Sequence, residues 1–371
     1  MVQVLASVLN KEKDLTTLTR DIGAPGPNEV QVAPRVTTLC GSDMHYFNHG
    51  RNGDFKVREP LSLGHEAAGE VVAVGSNVKN IQIGDRVALE VGQPCGECSL
   101  CRKGRYNLCA EMKFRSSAKS FPHLQGTLQT RINCPESWCH PLPKNVSFEQ
   151  AALVEPLSVA VHACNRAQMP IGSSVLILGA GAVGLFSAAV AKINGATNIV
   201  IADIAASRVD FAVRNGLADK GFTVPLKRAS TTEDKLANSK ETAEELVALQ
   251  SGQLFDYTFE CTGVESCVQA AIYSTAPGGK VMFVGMGQPV QTLHMAAAML
   301  REVDLLGVFR YANAYSTAIR LIASQKVSAI DKIITHRIDG LSNALDAFNL
   351  AGKAQDDKGN LVIKVAVLNN E

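Results

Sequence analysis

The run Gly179-Ala-Gly181-Ala-Val-Gly184 constrains this chain more than any other feature, because of what flanks it. An apolar segment, Val175 to Leu178, precedes it, and an Ala-rich stretch follows. Asp203 comes 19 residues after Gly184, at the end of the next apolar segment. Glycines at this spacing between a strand and a helix permit a tight turn and let backbone approach a pyrophosphate, which the positive end of the helix attracts. The segment therefore reads as a βαβ unit that holds a dinucleotide. Asp203 is placed to accept hydrogen bonds from ribose hydroxyls. A 2′-phosphate would face its negative charge, so NAD is expected over NADP, with Arg208 partly offsetting that repulsion.

The rest of the chain is organised around that unit. A length of 371 residues exceeds one ordinary core, and two domains are expected. From Val30 to about Val91, short β-rich runs such as Glu70 to Gly75 and Asp85 to Glu90 alternate with Gly and Pro, the texture of an irregular β domain. After Pro156, apolar runs alternate with helical stretches at Ala188 to Asn194 and Arg208 to Asn215, which predicts a parallel sheet with crossovers. Further strands are expected at Asn198 to Ala202, Asp256 to Glu260, Lys280 to Gly285, Asp304 to Val308 and Leu361 to Leu368. The polar stretch Lys227 to Gln250 reads as an exposed helical excursion. The fold class is α/β.

Four cysteines crowd into one loop, Cys95-Gly-Glu-Cys98-Ser-Leu-Cys101 and then Cys109. Four thiolates that can turn toward one centre make a closed tetrahedral zinc site, which is structural. A second constellation is dispersed. Cys40-Gly-Ser-Asp43 and Gly64-His65-Glu66 each end a β-like run, and thiolate, imidazole and carboxylate are the donors of an open, catalytic zinc site. Glu155 stands in the apolar stretch Val154-Glu-Pro-Leu-Ser158, where burial requires a metal or cation partner. On the residues alone, an N-cap or salt bridge is an equal reading of Glu155. The other cysteines, Cys134, Cys139, Cys164, Cys261 and Cys267, read as ordinary buried thiols.

Composition removes several alternatives. The 36 Lys and Arg nearly balance the 35 Asp and Glu, so the chain lacks the basic field that draws nucleic acid or anionic lipid. The N-terminus carries no basic region ahead of an apolar run, and no signal peptide is expected. Residues 167 to 191 hold no charge, yet four glycines divide them into strand, turn and helix, so no membrane span is expected. Ten cysteines in a large chain, four of them in a metal loop, point to a reducing, cytoplasmic setting.

Taken in order, Cys40-Gly-Ser-Asp, Gly64-His-Glu, the four-cysteine loop, Glu155-Pro-Leu-Ser and the glycine-rich turn resemble the zinc-dependent medium-chain dehydrogenases over nearly the whole chain. Within them, Cys40 to Tyr46, Arg105-Tyr-Asn, Glu155 to Val159, Glu260-Cys-Thr-Gly263 and Arg301 to Tyr311 resemble the sorbitol (L-iditol) dehydrogenases, and the complete cysteine loop is similar to their fungal and microbial members. The resemblance implies a GroES-like catalytic domain over residues 1–158, completed by 312–371. It places a doubly wound Rossmann domain over 159–311 and implies a homotetramer, NAD and two zinc ions per chain. It assigns the catalytic zinc to Cys40, His65 and Glu66, with Glu155 reaching zinc directly or through water, and the structural zinc to Cys95, Cys98, Cys101 and Cys109. It matches Tyr46, Glu155, Arg310 and Tyr311 to polyol-binding positions. Gly179, Gly181, Val183, Gly184, Asp203, Arg208, Val284, Gly285, Met286, Val308, Phe309 and Arg310 match positions lining the dinucleotide.

The implied activity is oxidation of a polyol such as sorbitol or xylitol to a ketose, with hydride passing to NAD and the proton leaving through water, Ser42 or Glu155. One departure supports a rival. Met112 to Ala118 with Phe121 to Gly126 is similar to L-idonate dehydrogenases, which makes a sugar acid the alternative substrate and His123 a candidate contact, a packing histidine being an equal reading. The clearest consequence concerns the cofactor. Asp203→Ala should relax the preference toward NADP, read as the ratio of kcat/KM for the two dinucleotides, and an unchanged ratio would remove Asp203 from this role.

Overall fold

A computed structural model describes residues 1–327 and 329–370. The chain forms two compact units, one of Met1–Pro156, Tyr315–Ser324 and Ile330–Glu371, the other of Leu157–Ala314 and Gln325–Ala329.

The first unit is β-rich, as the alternation of short apolar runs with Gly and Pro predicts. Its main sheet runs Cys139–Pro141, Arg86–Leu89, Glu66–Val74, Glu29–Thr38, Lys364–Leu368, Ile334–Asp339, with Ile132–Pro135 also paired to Glu29–Thr38. The last two segments come from the far end of the chain, and Lys364–Leu368 lies antiparallel to Glu29–Thr38 with Ala366 opposite Thr38. On its other side Thr38 faces Glu66. Thus the end of one central strand, the start of a second and a third strand some 300 residues later in the chain meet at one place. A helix, Gly41–His49, starts immediately after that strand end and turns Tyr46 and Phe47 inward. Phe47 meets Phe348 at a ring separation of 5.0 Å, in a core with Leu9, Leu61, Leu63, Leu128 and Val365. Burying such side chains contributes about 1.5–3 kcal/mol each, which anchors the helix that carries Ser42 and Asp43.

The second unit is a doubly wound parallel sheet in the order Lys220–Thr223, Asn198–Asp203, Ser174–Leu178, Phe255–Glu260, Thr275–Phe283, Asp304–Gly307. Every adjacent pair is parallel, which explains why these strands are apolar runs rather than alternating ones. The order reverses at Ser174–Leu178, the switch point where such sheets bind dinucleotides. The expected strands all form, with ends displaced by a few residues. Thr275–Phe283 starts earlier than expected, because Thr275 already pairs with Phe255, and residues 276–279 form an irregularity before Lys280 pairs with Tyr257. The polar excursion is the helix Thr232–Leu249, capped by Thr231 and burying Ala243 and Leu246. The uncharged stretch 167–191 divides into the strand Ser174–Leu178 and the helix Ala182–Ile193, and no helix among the described residues is long and apolar enough to cross a membrane.

Candidate catalytic metal centre and dinucleotide site

The strand junction described above brings one ligand atom each of Cys40, His65 and Glu66 within 4.8 Å of one another. Cys40 is the N-cap of the helix Gly41–His49, and Asp43 in its first turn accepts a hydrogen bond from the Cys40 N–H at 3.1 Å. The same carboxylate reaches across to Gly64 N–H at 3.1 Å and His65 Nδ1 at 3.2 Å. One buried anion therefore ties together both loops that carry the candidate metal donors. By accepting a hydrogen bond from Nδ1–H, Asp43 leaves the Nε2 lone pair free to bind a metal, the arrangement in which a carboxylate orients a metal-binding imidazole. Ser42 Oγ stands 3.3 Å from that Nε2. Burial works against charge on both partners. Even so, the Asp43 carboxylate lifts the His65 pKa well above its ordinary value, while His65 and the bonds from Ser116 and Cys40 hold Asp43 below the usual carboxylate range.

Glu66 has no exposed surface. Lys364 Nζ binds its Oε1 at 2.6 Å and the Leu39 carbonyl at 2.9 Å, while Thr38 Oγ1 donates to Oε2. Burial opposes the Lys364 charge, but Glu66, Cys40 and Glu155 outweigh it and raise its pKa. Lys364 thus neutralises part of the negative charge that thiolate and carboxylates gather here. Glu155, 6% exposed in the first turn of the helix Val154–Ala167, belongs to the same electrostatic group but not to the set of three donors.

The chemistry of these donors fits zinc, and the cysteine loop fits it more closely. With zinc–sulfur bonds of about 2.3 Å, four tetrahedral thiolates stand about 3.8 Å apart. Sulfur separations are 3.5 Å for Cys98–Cys101, 3.6 Å for Cys95–Cys109 and 4.0 Å for Cys95–Cys101. Backbone N–H groups of Cys95, Cys98 and Cys101 point at the sulfurs of Cys109, Cys95 and Cys98. Tyr106, inside the loop, donates at 2.6 Å to the buried Glu90, which also binds His140 at 2.7 Å, and so fastens the loop to the sheet.

In the second unit, Gly179 has a φ of +99° and Gly181 caps the helix Ala182–Ile193. A Cβ on Gly184 would lie 1.8 Å from the Gly179 carbonyl oxygen, so only glycine lets helix and turn pack this closely. Asp203 accepts from Ala180 N–H at 2.7 Å and Ala205 N–H at 2.9 Å, which fixes the carboxylate beside the turn. Val284 and Gly285 donate to the Glu260 carbonyl, and Val308 to that of Phe283, which sets the loops at the strand ends. Arg310, at a φ of +52°, lays its guanidinium over Phe309, and Tyr311 is buried.

Two expected contacts look different in three dimensions. Tyr46 is only 2% exposed, and its hydroxyl accepts from Ala118 N–H at 3.0 Å, so it supports the segment after the cysteine loop. His123 is not a free contact: Nε2 accepts from Arg58 N–H at 3.0 Å and Nδ1 donates to the Ser120 carbonyl at 2.7 Å. With both ring nitrogens bonded, His123 has the bonding of a packing histidine, the equal reading of this residue. Lys364 and the role of Asp43 escaped sequence reasoning. A lysine inside the apolar run Leu361 to Leu368 is a charge that must find a buried partner, and that signal was available.

The alcohol dehydrogenase GroES-like domain matches residues 26–144, and the zinc-binding dehydrogenase domain matches residues 182–324. The chain is 41% identical to the sorbitol dehydrogenase of Gallus gallus over 96% of its own length and 95% of that protein. To the sorbitol dehydrogenase of Bos taurus it is 42% identical, over 94% and 93%. The crystal structure of L-idonate 5-dehydrogenase from Escherichia coli superposes with a TM-score of 0.83 at 27% identity, covering 99% of this chain and 98% of that one.

The buried ion pair makes a quantitative prediction. Lys364→Met leaves the Glu66 charge without its cation, which should cost about 3–5 kcal/mol of unfolding free energy. Adding Glu66→Gln should recover most of that loss in denaturant titrations. Additive losses in the double variant would contradict the pairing.

Proposed function

This chain belongs to the zinc-dependent medium-chain dehydrogenases, in their sorbitol dehydrogenase family, and from that premise we propose that it oxidises a polyol of the sorbitol or xylitol type to the corresponding ketose. The reaction is polyol plus NAD⁺ giving ketose, NADH and a proton. The observation that carries this reading is the convergence of Cys40, His65 and Glu66 within 4.8 Å, each held from behind, in a chain that also has the complete dinucleotide turn.

Cys40, His65 and Glu66 would hold the catalytic zinc, with Glu155 as a further carboxylate. Both Glu66 oxygens are already bonded, which favours Cys40 and His65 as the permanent donors. Zinc, when bound, supplies Lewis acidity toward the reacting hydroxyl. The protein does the rest. Ser42 Oγ, 3.3 Å from His65 Nε2, would relay the proton by giving up its own as it accepts one, and the carboxylate of Glu155 or water would be the base that takes it as the carbinol carbon gives its hydride to the nicotinamide. The helix at Ala182 and the carboxylate of Asp203 bind pyrophosphate and ribose, and Gly179, Gly181, Val183, Arg208, Val284, Gly285, Met286, Val308 and Phe309 line the dinucleotide.

Arg310, Tyr311 and Glu155 select a polyhydroxylated chain, because a site built to hydrogen-bond several hydroxyls discriminates against a simple alcohol that lacks them, while Tyr46, its hydroxyl held by the Ala118 N–H, supports the neighbouring segment. Cys95, Cys98, Cys101 and Cys109 hold the structural zinc. A cytoplasmic homotetramer completes the reading. For the association, the edge strand Asp304–Gly307 pairs on one side only among the described residues, and the neighbouring Met299 and Leu300 are exposed at 70% and 87%.

The test follows nicotinamide absorbance with NAD or NADP against sorbitol, xylitol, L-idonate and ethanol, before and after chelation. NAD reduction by sorbitol or xylitol that disappears with chelator and returns with zinc is expected, with ethanol a poor substrate. Turnover of L-idonate alone, or turnover indifferent to the chelator, would contradict the assignment.

A further inference from the structure

We infer that Ser116 is a positioning residue of the catalytic metal centre, acting through Asp43 on His65. This inference rests on the metal assignment above and adds a third segment of chain to the two that supply donors. Ser116 lies 73 residues from Asp43 in sequence, is 2% exposed, and places its Oγ 2.5 Å from Asp43 Oδ1. That oxygen is the one facing Gly64 N–H and His65 Nδ1. An ionised carboxylate only accepts, so the serine hydroxyl donates, and Oδ1 receives three donors from three directions. A carboxylate held in this way cannot rotate, and the imidazole bonded to it keeps one orientation.

The backbone shows that this placement is specific. Ser116 has a φ of +61°, in the left-handed region that a non-glycine residue occupies at a cost. Its N–H is fixed to the Leu124 carbonyl at 3.1 Å, and the next buried residues turn back to the same helix. Ala118 N–H donates to the Tyr46 hydroxyl at 3.0 Å, and Ser117 Oγ lies 3.4 Å from it. Asp43 and Tyr46 sit three residues apart on the helix Gly41–His49. The segment 116–118 therefore grips that helix at two points one turn apart, and a shift of the segment is a shift of Asp43. This part of the chain, which follows the cysteine loop, becomes a support for the metal donors rather than a bystander.

Ser116→Gly separates hydroxyl from backbone, since glycine adopts the same φ without strain and lacks the donor. The measurement is release of zinc to a chelating dye, together with visible spectra of the cobalt-substituted protein and kcat and KM for the polyol and NAD. The labile zinc should leave about 10-fold faster or more. The cysteine-loop zinc should leave at the unchanged rate, the cobalt bands should shift, and kcat should fall while the KM for NAD stays constant. Ser116→Asn, which tolerates left-handed backbone and offers an amide donor, should recover part of the retention. Release from a folded Ser116→Gly protein within about twofold of the parent rate, with unshifted cobalt bands, would overturn the inference. If Ser116→Gly fails to fold, Ser116→Ala is measured in the same way and decides by the same criteria. Failure of the underlying reading looks different, because the unmodified protein would then hold no labile zinc or would keep its activity after losing it.

Discussion

A carboxylate sealed from solvent must be answered by charge or by directed hydrogen bonds, and two such groups, Glu66 and Asp43, organise the first unit of this protein. Leaving either unmet would cost several kcal/mol. Glu66 is met by Lys364 and Thr38, and Asp43 by Cys40, Gly64, His65 and Ser116. These bonds run between segments that are distant in sequence, so the chain must close its central sheet before they form. Once formed, they leave Cys40 Sγ and His65 Nε2 with a fixed direction and little freedom, the condition under which a metal is held in one geometry.

The two units solve different problems with different physics. In the parallel sheet, the requirement is close approach of neutral backbone, met by absence of side chain at Gly179, Gly181 and Gly184 and by the aligned dipoles of one helix. In the β-rich unit, the requirement is to gather negative donors without mutual repulsion. Lys364 serves this end in the middle of an apolar strand, where a lysine otherwise has no place. The cysteine loop is a third, self-contained device: backbone N–H groups already point at its sulfurs, and Tyr106 and Glu90 fasten it to the sheet.

What could be read from the chain alone follows from how local each feature is. The glycine-rich turn and the four cysteines lie within short windows, and their spacing carries both structure and chemistry. The change from β-rich runs to alternating strands and helices after Pro156 was equally legible, because apolar texture reports sheet type. The pairing of Glu66 with Lys364 spans 298 residues, and that of Ser116 with Asp43 spans 73, so no window contains either. His123 shows the converse. A polar residue in a segment suspected of meeting substrate invites a functional reading, yet two backbone bonds account for both of its ring nitrogens. Tyr46 is intermediate, a residue picked for its hydroxyl whose hydroxyl turns out to hold a neighbouring loop.

The chemistry depends on a metal centre formed by Cys40, His65 and a carboxylate, distinct from the cysteine loop. Anomalous diffraction collected on both sides of the zinc absorption edge, from crystals grown with NAD, tests it directly. Two zinc peaks per chain are predicted, one enclosed by Cys95, Cys98, Cys101 and Cys109 and one between Cys40 and His65 with Glu66 or Glu155 beside it. A single peak in the cysteine loop, or a second peak remote from Cys40 and His65, would contradict the claim.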